Sequence, residues 1–105
     1  MPTAYTRGVW QERSFPGTAL MFGLIETHGV PTHYRIYWGR SKAYGHHAYT
    51  FERHVAFNRS RPVGVEGEIE GLKARTTYHY RLVAWNRFGR SLGEDRTFHT
   101  LSVNP

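Results

Sequence analysis

The chain has no cysteine among its 105 residues, which excludes a disulfide framework and thiol chemistry but leaves the compartment open. No apolar run approaches the roughly 20 residues of a membrane-spanning helix. The opening stretch "MPTAYTRGVWQERSFPG" lacks the apolar segment of a signal peptide. A glycine-rich phosphate loop, a nucleophile elbow, an HExxH pair and paired catalytic carboxylates are all missing. The expectation is therefore a chain that is not an enzyme and takes no cofactor. Acidic residues are scarce, 8 against 14 Lys and Arg, for a net charge of +6. That balance favours anionic partners, such as an acidic glycan or protein surface. The basic residues are scattered with no run of five, so nucleic acid is the weakest of these.

What is present is apolar and aromatic: 39% and 15% of the chain, enough for a folded core. The length suits one domain over residues 1–105. Turn signals fall every 8 to 12 residues or so, the spacing of a β-sandwich or barrel. The segments 18–26, 32–39, 61–72, 76–85 and 95–101 read as strands. Residues 40–54 read as a loop with a short strand turning at Gly45, and "NRFGRSLG" (86–93) as a turn. Residues 1–14 form an N-terminal arm or first strand, 17–101 the core, and 102–105 a tail. No segment shows a helical apolar period. "NRS" at 58–60 fits a glycosylation acceptor, a three-residue match common by chance.

The stretch "GLKARTTYHYRLVAWNRFGRSLGEDRTFHT" (71–100) resembles the C-terminal half of a fibronectin type III domain in its short bacterial form. It runs G-L, T-Y, alternating apolars, A-x-N, a Gly-Ser turn and a closing T-F-x-T. Residues 17–45 match the preceding strands. Ala74 departs from the pattern, standing where a proline is usual. The resemblance implies an all-β, seven-stranded antiparallel Ig-like sandwich, with Tyr78 as a tyrosine corner tied to the preceding loop. The inward set is Ala19, Met21, Gly23 and Ile25; Tyr34, Ile36 and Trp38; Val63, Val65 and Ile69; Tyr78, Tyr80, Leu82 and Ala84; and Phe98. Trp38 and Tyr80 are expected to fill space left by Gly23 and Gly67. Fully burying one large apolar side chain contributes roughly 1.5–3 kcal/mol, so this set suffices for a small domain.

Two outer faces remain. On a three-stranded sheet of 32–39, 76–86 and 95–101, the outward residues are His33, Arg35, Tyr37, His79, Arg81, Val83, Trp85, Thr97 and His99. They read either as a solvated face with cross-strand pairs or as a contact surface, since Trp, Tyr and Arg are enriched at binding hot spots. A third reading places His33, His79 and His99 side by side around a metal. Against it, no Cys or nearby carboxylate completes the set, and Arg35 and Arg81 repel a cation. His46 and His47 read as a loop feature with opposed side chains. On the other sheet, Leu20, Phe22 and Leu24 stand outward where polar residues are expected. Either the N-terminal segment with Val9 and Trp10 covers them, or another chain does, or the register slips by one. Glu66, Glu68 and Glu70 read as an edge-protecting row.

These features lead to a non-enzymatic structural or interaction module. The first reading is a subunit or decoration protein of a larger assembly such as a bacteriophage particle. It rests on the chain starting at Met without linker or catalytic domain, and it uses Leu20, Phe22, Leu24, Val9 and Trp10 as the protein interface. The second is a binding or spacer module of a bacterial extracellular adhesin or polysaccharide-degrading protein, with Tyr37, Trp85 and the 86–93 loop in contact. The third is a basic binder of nucleic acid or another anionic polymer. The expected setting is a virion or the extracellular surface.

Overall fold

The computed structural model describes residues 2–11, 17–48, 54–55 and 62–101. The "NRS" acceptor at 58–60 and the tail 102–105 lie outside the described residues. Among the described residues the chain is all-β, with antiparallel sheets and no helix. The strands are β1 (Thr3–Gln11), β2 (Ala19–Glu26), β3 (Thr32–Gly39), β4 (His46–His47), β5 (His54–Val55), β6 (Val63–Ile69), β7 (Thr77–Asn86), β8 (Gly89–Leu92) and β9 (Arg96–His99). One sheet has the order β1-β2-β6. The other has the order β4-β3-β7-β8, with β5 on β3 and β9 on β7.

Among the described residues there are nine strands against the seven expected, and the sheet expected to have three strands has six. Two causes account for this. Short two-residue pairings, β4 and β5, form along one edge of β3. The segment 86–93 is also mostly strand rather than turn. Its reversal takes only Arg87 and Phe88, where Asn86 Oδ1 accepts the Phe88 N–H at 2.8 Å. Gly89 then starts the return with a φ of 145°, a value that side chains rarely tolerate.

Period-two alternation sets the burial. Met21, Ile25, Val65 and Ile69 of one sheet join Tyr34, Ile36, Tyr80, Leu82 and Ala84 of the other in a single buried cluster. Trp38, Val63 and Phe98 pack against its rim and are only partly buried. The residue facing Gly23 is Leu82, not Trp38 or Tyr80: a Cβ at Gly23 falls 2.6 Å from Leu82 Cδ2. The Tyr78 hydroxyl accepts the Lys73 N–H at 2.9 Å, tying β7 to the preceding loop as expected.

The N-terminal segment is an edge strand. It pairs with β2 instead of lying over Leu20, Phe22 and Leu24. A bulge sets Arg7 and Gly8 opposite Phe22 alone, so Ala4 and Thr6 point inward before it and Val9 after it. Thr6, 1% exposed, ties the two sheets: its hydroxyl donates to the Glu94 carbonyl at 2.6 Å and accepts the Leu82 N–H at 3.3 Å. Gln11 adds a second tie, donating to the His99 carbonyl and accepting the Leu101 N–H, each at 3.0 Å.

Candidate functional site

The alternation that buries Tyr80, Leu82 and Ala84 turns Arg81, Val83 and Trp85 to the outer face of the larger sheet. Ladder partners place Tyr37 beside Arg81, Leu92 beside Val83, and Arg90 beside Trp85. Val83 is only 5% exposed and makes a floor. Tyr37, Tyr44 and His47 stand on one side of it, and Arg90 with Leu92, 53% exposed, on the other. The result is an open groove of about 430 Å³ combining aromatic and cationic walls.

Tyr44 is held in place from several directions. Its ring lies 6.5 Å from that of Tyr37, with the Arg81 guanidinium 5.9 Å above it. Its hydroxyl donates to Asp95 Oδ1 at 2.5 Å. Its backbone sits at φ 57°, uncommon for a side chain other than glycine, after a turn in which the Tyr44 N–H reaches the Ser41 carbonyl at 3.0 Å. Gly39, at the end of β3, allows this approach: a Cβ there falls 1.7 Å from the Tyr44 carbonyl oxygen.

Asp95 is the hub. His79 Nδ1 lies 3.0 Å from its second oxygen, and Arg81 is fixed alongside by an Nε–H bond of 2.8 Å to the Gly93 carbonyl. Burial pushes the Asp95 carboxyl up, but the bonds from Tyr44 and His79 and the nearby His79 and Lys42 charges outweigh it. The net result holds the group below the usual aspartate value. Burial, reinforced by the bond to Asp95, pushes the Tyr44 phenol up to about 12 against the pull of Arg81. Tyr44 therefore stays a neutral donor throughout the physiological range. The network fixes one wall of the groove.

The sequence candidates divide along this face. Tyr37, Arg81 and Val83 belong to the groove. His33 and Trp85 stack at 5.8 Å toward the far end of the ladder, and Arg35 sits exposed between the two patches. His79 turns to Asp95, while His99 lies 3.0 Å from the Thr77 hydroxyl. The three histidines do not converge. His33 pairs with Trp85 and His79 with Gly39, six rungs apart, or about 20 Å. A carboxylate does stand near His79, contrary to the expectation, but no group of three ligating residues forms among the described residues. His46 stacks on Trp38 at 4.5 Å while His47 pairs with Tyr37, so the two do face opposite sides. Tyr44 and Asp95 were not singled out from the sequence, and Arg90 was included only within the 86–93 contact loop. Gly45 marked a turn next to Tyr44, but nothing in the residue pattern joined that turn to Asp95.

On the smaller sheet, Leu20, Phe22 and Leu24 do stand outward, with Phe22 36% exposed. Trp10 joins them beside Leu20 and is 51% exposed, whereas Val9 packs against the core. Arg7, Phe22, Leu24, Gly64 and Glu66 line a shallow depression there.

No protein-family model and no curated protein matches the chain. Solved structures of the sensor domain of the anti-sigma factor RsgI4 from Pseudobacteroides cellulosolvens do resemble it. The solution structure aligns with a TM-score of 0.67 at 15% identity, over 99% of this chain and 78% of that one. A longer form of the same domain gives 0.64 at 17% identity, over 100% and 94%. A shorter form gives 0.61 at 15% identity, over 96% and 95%. The likeness is one of fold. None of these three is a virion protein, and the reading as a phage subunit gains no support from them.

Proposed function

We propose that this chain is a non-catalytic binding or sensing module with a fibronectin type III-like, Ig-like β-sandwich, set in a bacterial extracellular protein. The sandwich is supported by strand order. The first two strands join β6 in one sheet, while β3, β7 and the final strands form the other, as in that architecture. The sensing role is supported by the sensor-domain neighbours. The observation that carries the reading is the groove, in which Tyr37 and Tyr44 stand fixed beside Arg81 and Arg90. Planar rings stack on sugar faces and guanidinium groups pair with carboxylates, so the ligand is an anionic polymer, with carboxylated polysaccharide as the first candidate.

Affinity electrophoresis against polygalacturonate and neutral dextran, at low and high salt, tests this. Wild type is retarded by polygalacturonate at low salt and not by dextran. The pair Tyr37→Ala and Arg90→Ala weakens that binding about 10-fold or more, a loss typical of hot-spot residues. Equal retardation of variant and wild type, or no retardation at low salt, overturns the assignment.

A further inference from the structure

The outer face of the smaller sheet carries a self-complementary arrangement independent of the groove. Across β2 as a midline, three levels can be read from the register. Tyr5 on β1 and Gly64 on β6 both flank Leu24. Arg7, at the bulge, and Glu66 both flank Phe22. Trp10 and Glu68 both flank Leu20. One edge thus offers a large ring, a cation and an indole N–H donor. The other offers an absent side chain, an anion and an anionic acceptor at the same heights.

A two-fold axis parallel to the strands and lying over β2 brings β1 of one copy above β6 of the other without changing height. Each level then meets its complement twice. Tyr5 covers Gly64, Arg7 meets Glu66, Trp10 reaches Glu68, and the two Phe22 rings face each other at the axis. Sheets that stack face to face with nearly aligned strands do so about 10 Å apart, a gap that side chains of this size fill. We infer that the chain self-associates as a symmetric dimer through this face, the second copy being the occupant of the outward Leu20, Phe22 and Leu24 row. The commitment to a second copy rests on this charge and size complementarity. Glu66 and Glu68 are two of only 8 acidic residues in a chain of net charge +6.

Sedimentation equilibrium of the full chain tests the inference. Wild type dimerises, and Phe22→Asp, a change at an exposed position, abolishes the dimer without altering the circular dichroism spectrum. Arg7→Glu alone and Glu66→Arg alone each weaken association about 10-fold or more. Combining the two restores it to within about 3-fold, because the pairing is reversed rather than lost. A wild-type chain that stays monomeric up to about 1 mM overturns the inference. So does a dimer insensitive to Phe22→Asp, or one whose single charge reversals are not rescued by the pair, since such a dimer uses another surface.

Discussion

Gly39→Ala tests whether the groove wall depends on one missing side chain. The added Cβ lies 1.7 Å from the Tyr44 carbonyl oxygen, 2.4 Å from its carbonyl carbon and 2.7 Å from its Cα. All three are backbone atoms, so no rotamer change relieves the overlap. Restoring an ordinary contact of 3.4 Å requires a retreat of about 1.7 Å, in a turn already at a left-handed φ. Overpacking a well-packed site costs about 1–3 kcal/mol and occasionally more. Because the obstacle is backbone, the loss belongs at the upper end, about 2–3 kcal/mol. The same retreat pulls the Tyr44 hydroxyl from Asp95 and opens the groove. Gly64→Ala, measured on dilute monomeric chain so that self-association plays no part, is the control: it lies mid-strand, and its Cβ meets nothing within 4 Å in its own chain. It should be neutral or stabilise by up to about 1 kcal/mol, since alanine reduces unfolded-chain entropy. Urea denaturation followed by tryptophan fluorescence measures both. If Gly39→Ala proves as stable as Gly64→Ala, the close packing of Tyr44 against β3 is wrong.

Tyr78→Phe keeps the ring against Phe98 and Trp38 but strips the Lys73 N–H of its acceptor, so it should cost about 1–3 kcal/mol in the same assay. The matching change at Tyr5, whose hydroxyl reaches Glu26 only at 3.5 Å, should cost less than about 0.5 kcal/mol. The pH dependence of stability has opposite signs at the two ends of the Tyr44–Asp95 bond. The Asp95 carboxyl is depressed, so its contribution is present above the ordinary value of 3.8 and lost as pH falls through the folded value. The stability gap between wild type and Asp95→Asn should therefore close below that pH. The Tyr44 phenol is raised, so its contribution is full below pH 10.0 and lost as pH rises toward about 12. The gap between wild type and Tyr44→Phe should close over that alkaline span, as followed by urea midpoints across the pH series.

The core was legible because strand alternation has a period of two and both sheets are buried on one face only. Met21, Ile25, Ile36, Tyr80, Leu82 and Ala84 follow from that rule alone. The rule fails at β1, where the bulge at Arg7 and Gly8 shifts the phase. From the sequence, Val9 and Trp10 read either as a cover over Leu20, Phe22 and Leu24 or as part of a protein interface with them. Consecutive strand residues face opposite sides, and the bulge decides that Val9 goes to the core and Trp10 to solvent. A bulge of this kind depends on which strand lies opposite, and alternation within one segment carries no trace of that. The groove was half legible for a related reason. Tyr37, Arg81 and Val83 lie on strands and share a face by parity, whereas Tyr44 and Asp95 lie in connections 51 residues apart. Their meeting depends on how two loops leave the sheet, and on a glycine that reads only as a strand end.

Net charge was the most misleading of the sequence signals, because it averages over faces that behave differently. The register puts Arg35, Arg81 and Arg90 on the outer face of the larger sheet, with Asp95 occupied by Tyr44 and His79. It puts Glu66 and Glu68 on the outer face of the smaller sheet, beside an apolar row. A charge of +6 therefore does not describe a uniformly basic surface. It is the sum of a cationic, aromatic face and a face of mixed sign, each suited to a different partner. Salt weakens contacts at both, so salt dependence alone cannot assign an interaction to either. Substitution can: reversing Glu66 should leave polygalacturonate binding intact, and removing Arg90 should leave self-association intact.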